Sequence, residues 1–274
     1  MPSKSSRRSP SDIRRIGSLR IICESPANLR AVKSAVSLLK DWTGPMKISV
    51  QKATFSKGKI DAEEIAGAFV SLRLIDAKKR DERTAYSFAL RDFEKRAMSG
   101  ASRARGVPYE GVGLMKLYQK LLPSRAEDEA CIVVTDRLTM TWSEDDLRYH
   151  ARVVVFGFPS TISLSGMVEA PARPREYYLA RQALDPHGAG AADEMLSRQF
   201  AGRYLEADDE RTDKVLRGYI LQCLFYSSTL DPFCNSKDCM LYNAHWQSEM
   251  IHAQIEYGKL CEKHRRTLSV IMSE

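Results

Sequence analysis

The 274-residue chain has no apolar run approaching the roughly 18 residues needed to span a bilayer. Its amino end is basic and serine-rich but has no apolar h-region, so it is not expected to be a secretory signal. The G-x-S-x-G elbow, the Walker A loop and G-x-G-x-x-G are all missing, which removes the usual motifs for serine hydrolysis, nucleotide phosphates and dinucleotides. There is no internal repeat and no clear linker. Without a secretory leader, the six cysteines are expected to be metal ligands or buried thiols, not disulfides, in a cytoplasmic protein.

What is present is ordinary in bulk and uneven in detail. Apolar residues make up 43% and charged residues 28%, in a chain long enough for a substantial core. The formal charge is +7, and residues 1–20 hold Lys4, Arg7, Arg8, Arg14, Arg15 and Arg20 against Asp12 alone. A near-neutral body therefore follows a basic tail. Residues 1–17 read as a disordered leader. Nucleic acid is a conceivable partner for that tail but not the preferred one. Residues 18–274 read as a single α/β domain.

LRIIC (19–23) reads as a buried strand, followed by a helix opened by Ser25-Pro26 and a strand over 46–54. This β-α-β start points to a mixed or parallel sheet covered by helices. A helix is expected after Asp61, another within the charged stretch 76–99, and a short one over GLMKLYQKLL. EACIVVTDRL (129–138) is the strongest strand. ARVVVFG and PSTISLSGMVEAP read as further strands, and EAPARP as an extended exit. Helices follow at 175–184, 191–204 and 212–228, and a long one from about Tyr242 to His264.

The densest chemistry lies near the carboxyl end. Cys234, Cys239, Cys261 and His264 form C-x4-C-x21-C-x2-H. Three thiolates and one imidazole suit a closed tetrahedral zinc site. Asn235-Ser236-Lys237-Asp238 can turn both knuckle thiols toward one ion. Cys261 and His264, three apart, are expected to share a helix face, and Lys259, Lys263, Arg265 and Arg266 to offset the thiolate charge. Two weaker constellations compete for a catalytic role. His245, Glu249 and His252 stand at i, i+4 and i+7, the spacing of a second, open metal site on the long helix, although a plain polar helix face is the preferred reading. His150, near Arg152 and Glu169, is a candidate acid/base or anion-binding group beside an expected strand, or simply a hydrogen-bonded edge histidine.

The order strand, strand, helix, C-x4-C-Met, long helix, C-x2-(C/H) resembles the carboxyl half of the archaemetzincin zinc peptidases, over roughly residues 130–266. That family carries HExxHxxGxxH followed directly by C-x4-C-x-M and later C-x2-C. The resemblance implies a metzincin-like half with a zinc knuckle. Cys234, Cys239 and Cys261 match the structural set, and His264 replaces the fourth Cys. Met240 lies one position early. The chain is also similar to a mainly archaeal family labelled as metallopeptidases, which shares VTDRL, YHAR, EAPA-P-EYY and YNAHWQ. In the archaemetzincin register the three catalytic His positions fall on Cys223, Ser227 and Phe233, and the general-base Glu falls on Leu224. The resemblance therefore implies a zinc-stapled relative acting on peptides or proteins only if His245, Glu249, His252 or His150 builds a replacement site. The alternative is a non-enzymatic peptide- or nucleic-acid-binding module stabilised by zinc.

Overall fold

β1 (Ser18–Cys23) sends side chains to two faces, which sets the layers of the molecule. Leu19, Ile21 and Cys23 join one apolar cluster and Ile22 joins another, as the two-residue period of a strand requires. β4 (Glu129–Thr135) repeats this, with Ala130, Ile132 and Val134 on one face and Cys131 and Val133 on the other. Strands covered on both faces read as unbroken apolar runs, which is why LRIIC and ACIVV do. The structure is a computed structural model and describes residues 13–44, 46–55, 61–80, 84, 87–184 and 193–273.

After β1, Ser25 is extended and its hydroxyl accepts from the Ala27 amide, with Pro26 opening a 3-10 turn that leads into α1 (Leu29–Ser37). The short α2 (Lys40–Thr43) ends at Gly44, whose φ of +51° favours glycine. β2 (Lys47–Lys52) then returns parallel to β1. The main sheet runs β2-β1-β4-β8-β7. Here β8 is Ser160–Ser163, parallel to β4, and β7 is Val154–Val155, the antiparallel edge. The chain leaves β1 toward β2 on one side and later fills the other side with β4, so the winding reverses between β1 and β4. A smaller sheet joins β3 (Pro108–Glu110), β5 (Leu138–Ser143) and β6 (Arg148–Ala151).

One face of the main sheet is covered by α1 and by α9 (Thr212–Thr229), whose Val215, Leu216, Ile220, Leu224 and Phe225 enter the larger core. The other face is covered by α3 (Ala62–Ser71) and α5 (Gly111–Leu121), through Ile65, Phe69, Leu114 and Tyr118. The mixed α/β sheet between helices is as the sequence implies. The outer helix α4 (Phe88–Ser99) packs on α3.

Several local readings change. The long helix expected from Tyr242 to His264 is three pieces: α10 (Gln247–Ile251), a π-helical turn (His252–Tyr257) and α11 (Glu262–Ile271). Gly258 breaks it, adopting φ +62° with its amide donating to the Ala253 carbonyl, the left-handed helix terminator that glycine favours. LSGMVE is not strand but α6 (Leu164–Glu169), because the Ser163 hydroxyl caps the Gly166 amide at 2.8 Å. The helix read within 76–99 begins only at Phe88, and that at 191–204 is α8 (Asp193–Gln199); α7 (Arg175–Leu184) matches its expected range. Residues 1–12 of the expected tail lie outside the described residues. Residues 13–17 are held in place: the Arg14 amide donates to the Ser228 carbonyl at 3.1 Å, the Ile16 amide to Ile271 at 2.9 Å, and Ile16 is buried.

Candidate metal centre

The knuckle follows the end of α9. The Cys234 amide donates to the Leu241 carbonyl at 2.7 Å and the Tyr242 amide to the Cys239 carbonyl at 2.9 Å, closing the C-x4-C loop on itself. The Met240 amide donates to the Lys259 carbonyl at 2.8 Å, which ties the loop to the segment just after Gly258. That break matters for geometry. Cys261 is not on a helix turn with His264; it is the extended N-cap of α11, and His264 is the third residue of that helix. The cap position lets the thiol turn back over the first turn.

His264 Nδ1 lies 3.1 Å from Cys261 Sγ and 3.7 Å from Cys239 Sγ, and its ring stands edge-on to Phe225 of α9 at 5.5 Å. The four ligand atoms of Cys234, Cys239, Cys261 and His264 all lie within 4.8 Å of one another, the one such group of His, Cys and acidic residues among the described residues. Tetrahedral bonds of ordinary zinc–sulfur and zinc–nitrogen length would space ligand atoms roughly 3.6–3.8 Å apart, so the set fits a four-coordinate ion with sub-ångström adjustment. Burial pushes the Cys239 thiol up to about 12, although the Cys261 and Leu241 amides direct N–H groups at its sulfur, and the neighbouring Cys234 and Cys261 add to the rise. Burial likewise raises Cys234, and it drives His264 down to about 4, helped by Lys263. Three crowded sulfurs and an imidazole held neutral make a donor set that a divalent cation stabilises by taking the thiolates. The expected cationic offset is partly spent elsewhere, since Arg265 and Arg266 pair with Glu262.

The second constellation is not assembled. His245 precedes α10, and Glu249 accepts the backbone amides of His245 and Trp246 at 3.0 and 3.4 Å while pairing with Lys237. Glu249 therefore caps a helix, and those bonds with Lys237 hold its carboxyl below the usual range in spite of partial burial. His252 sits between Asp238 and Glu256, each 3.0 Å away, and both hydrogen bonds raise its pKa. The start of α10 at Gln247 leaves His245 outside the helix that carries Glu249. His150 pairs with Asp146 at 2.7 Å and accepts from Arg148 on the exposed side of β6; Arg152 instead reaches Thr141, and Glu169 lies on α6.

The segment in the register of a catalytic helix is core. Cys223, Leu224 and Ser227 are buried on α9, and burial pushes the Cys223 thiol far above its ordinary value. Phe233 is partly buried and meets Phe156, which in turn stacks on Tyr226, at 5.5 and 5.1 Å between ring centres.

Residue-by-residue reading of motifs missed a second polar centre, at the carboxyl ends of the main strands. Arg137 is fully buried and pairs with Glu24 at 2.7 Å and Glu94 at 2.6 Å. Its guanidinium lies 4.0 Å from the Phe69 ring centre and 4.6 Å from that of Tyr109. The Tyr118 and Thr135 hydroxyls donate to Glu24, and the Tyr109 hydroxyl to Glu94. Burial opposes the Arg137 charge, but the two carboxylates outweigh it and the pKa stands well above its usual value. The available signal was the charge that directly follows each apolar run: Glu24 after LRIIC, and Asp136-Arg137 after IVVT.

Fold and site together define a mixed α/β protein with a Cys3His cluster that could hold a metal ion and that joins its last helix to the knuckle. Among the described residues no helix is long and apolar enough to cross a membrane. The chain belongs to the probable metallopeptidase family DUF6775, whose model matches residues 21–271. No curated protein matches it. It is similar to the solved archaemetzincin of Methanopyrus kandleri, with 10% identity over 94% of this chain and 97% of that one, TM-score 0.47. It is also similar to a zinc-dependent peptidase of Methanocorpusculum labreanum, with 10% identity over 91% and 99%, TM-score 0.41.

Proposed function

We propose that this protein is a zinc-binding member of its metallopeptidase family in which the zinc is structural and the peptidase centre is lost. The observation that carries the reading is the convergence of Cys234, Cys239, Cys261 and His264, whose four donors leave no position for water or substrate. A peptidase zinc needs an open position and a base. No HExxH occurs in the chain. The buried Cys223, Leu224 and Ser227 offer no replacement, Glu249 and His252 each serve another contact, and His245 meets Glu249 only through its backbone amide. The free cysteines fit a reducing, cytoplasmic setting.

Metal analysis of freshly purified protein tests this. One zinc per chain is expected, lost in Cys234→Ser, with no cleavage of unfolded casein. Protein without zinc would overturn the metal assignment. A second, chelator-labile ion lost in His252→Ala, together with proteolysis, would overturn the loss of the peptidase centre.

A further inference from the structure

The six free cysteines fall into two sets. Cys23, Cys131 and Cys223 are buried outside the tetrad, and burial raises all three thiols, Cys23 to about 12. The thiolate is the form that peroxides oxidise, so these three are inert. Cys234, Cys239 and Cys261 converge with His264, and a divalent ion held there keeps them as thiolates at neutral pH.

The three sulfurs of the tetrad are not equivalent. Cys239 is fully buried, while Cys234 and Cys261 are half-buried. Cys261 is the N-cap of α11, a helix of ten residues, so its sulfur lies at the positive end of the helix dipole, a setting that favours a reactive thiolate. Lys263, near enough to His264 to help hold the imidazole neutral, adds positive charge there, and the Glu262 charge is taken up by Arg265 and Arg266. Cys234 reaches the same point from the knuckle. Its sulfur contacts those of Cys239 and Cys261, and the donor atoms all lie within 4.8 Å of one another. A disulfide needs its sulfurs at about 2 Å. The closing shift falls on the knuckle loop, which is exposed from Asn235 to Asp238.

We propose that Cys261 and Cys234 are a peroxide-reactive pair, whose disulfide replaces the metal as the junction between the knuckle and α11. The proposal rests on the tetrad being a zinc site. The Cys261 thiolate attacks one oxygen of hydrogen peroxide, the O–O bond breaks, hydroxide leaves, and a sulfenic acid forms. The Cys234 thiolate attacks that sulfur, the S–O bond breaks, a second hydroxide leaves, and the S–S bond forms. The two sulfurs give up two electrons and the peroxide takes both. Cys239 and His264 are then the only donors left, too few for a tetrahedral site. Zinc is released, while the new covalent bond keeps α11 at the knuckle. A dithiol reductant with zinc reverses the change.

Treatment of the zinc-loaded full chain with equimolar hydrogen peroxide tests the proposal. Released zinc is read with a chromogenic chelator, and free thiols are alkylated before peptide mass spectrometry without reduction. One zinc per chain is expected to be released, with the Cys234 and Cys261 peptides joined and with Cys23, Cys131 and Cys223 alkylated only after denaturation. The oxidised protein is expected to melt above protein stripped of zinc by a chelator, and dithiothreitol alone to abolish that margin. Zinc retained under peroxide, a Cys234–Cys239 linkage, a sulfinic acid in place of the disulfide, or equal melting of the oxidised and stripped forms would overturn it. Zinc measured before peroxide separates the two readings: absent metal overturns the metal assignment, and the peptide map still decides the thiol pair.

Discussion

Two polar centres hold this molecule together, and they were unequally visible. The Cys3His tetrad gathers its residues from two short sequence pairs, and the Arg137 hub gathers Glu24, Glu94, Tyr109 and Tyr118 from across the amino-terminal half of the chain. Both solve the same problem, the placement of charge in a low-dielectric interior. The tetrad does so with donors specialised for one ion. The hub does so with common residues whose charges nearly cancel: Arg137 faces two carboxylates, and Arg73 approaches Glu94 at 3.6 Å. A metal site announces itself by residue type and spacing, whereas an ionic hub is defined only once strands and helices bring it together.

The comparison can be broken first at the tetrad. Cys239→Ser removes a buried ligand, and because a structural zinc contributes on the order of 10 kcal/mol to folding, the carboxyl segment is expected to unfold. Zinc content and the melting curve report it together. Arg137→Met comes next. It leaves Glu24 and Glu94 buried without their shared arginine and should destabilise by about 3–5 kcal/mol, measured by urea unfolding. Adding Glu24→Gln and Glu94→Gln should recover part of that loss, since groups in one network do not act additively; equal loss in the triple variant would deny the hub its electrostatic character.

Acid should separate the two centres. The thiols of the tetrad take protons readily once the ion is gone, Cys239 having been raised to about 12. Protons therefore compete with zinc as pH falls, and stability is expected to drop with zinc release on the acid side, not the alkaline side. The Arg137 charge, held well above its usual range by its carboxylate partners, persists throughout. Zinc release followed with a chromogenic chelator during acid titration checks the order. The smallest effect is expected at the exposed Arg105–Asp208 pair. The hydrogen bond from Arg105 holds the Asp208 carboxyl below its usual range, so its contribution is present above that range and is lost as pH falls through it. Asp208→Asn should change stability by less than about 1 kcal/mol.

Much of the frame was legible because it rests on local rules. The apolar runs of β1 and β4, the serine–proline start of the first helix and the C-x4-C loop each carry their own signal. The failures were also local in cause. The run from Tyr242 to His264 has helical spacing throughout, and one glycine in a left-handed conformation divides it. The helix also starts only at Gln247, so Glu249 lies in its first turn and caps it, His245 stands outside it, and His252 pairs with Asp238 and Glu256.

The sequence by itself determined the Cys3His spacing, the apolar strands and the absence of an HExxH string, because each depends on residue identity at short range. Only the tertiary structure decided that Cys261 stands at a helix cap, and that Arg137 is buried between two distant glutamates. Those outcomes turn on which remote segments meet and on how burial sharpens charge, and no spacing along the chain encodes either.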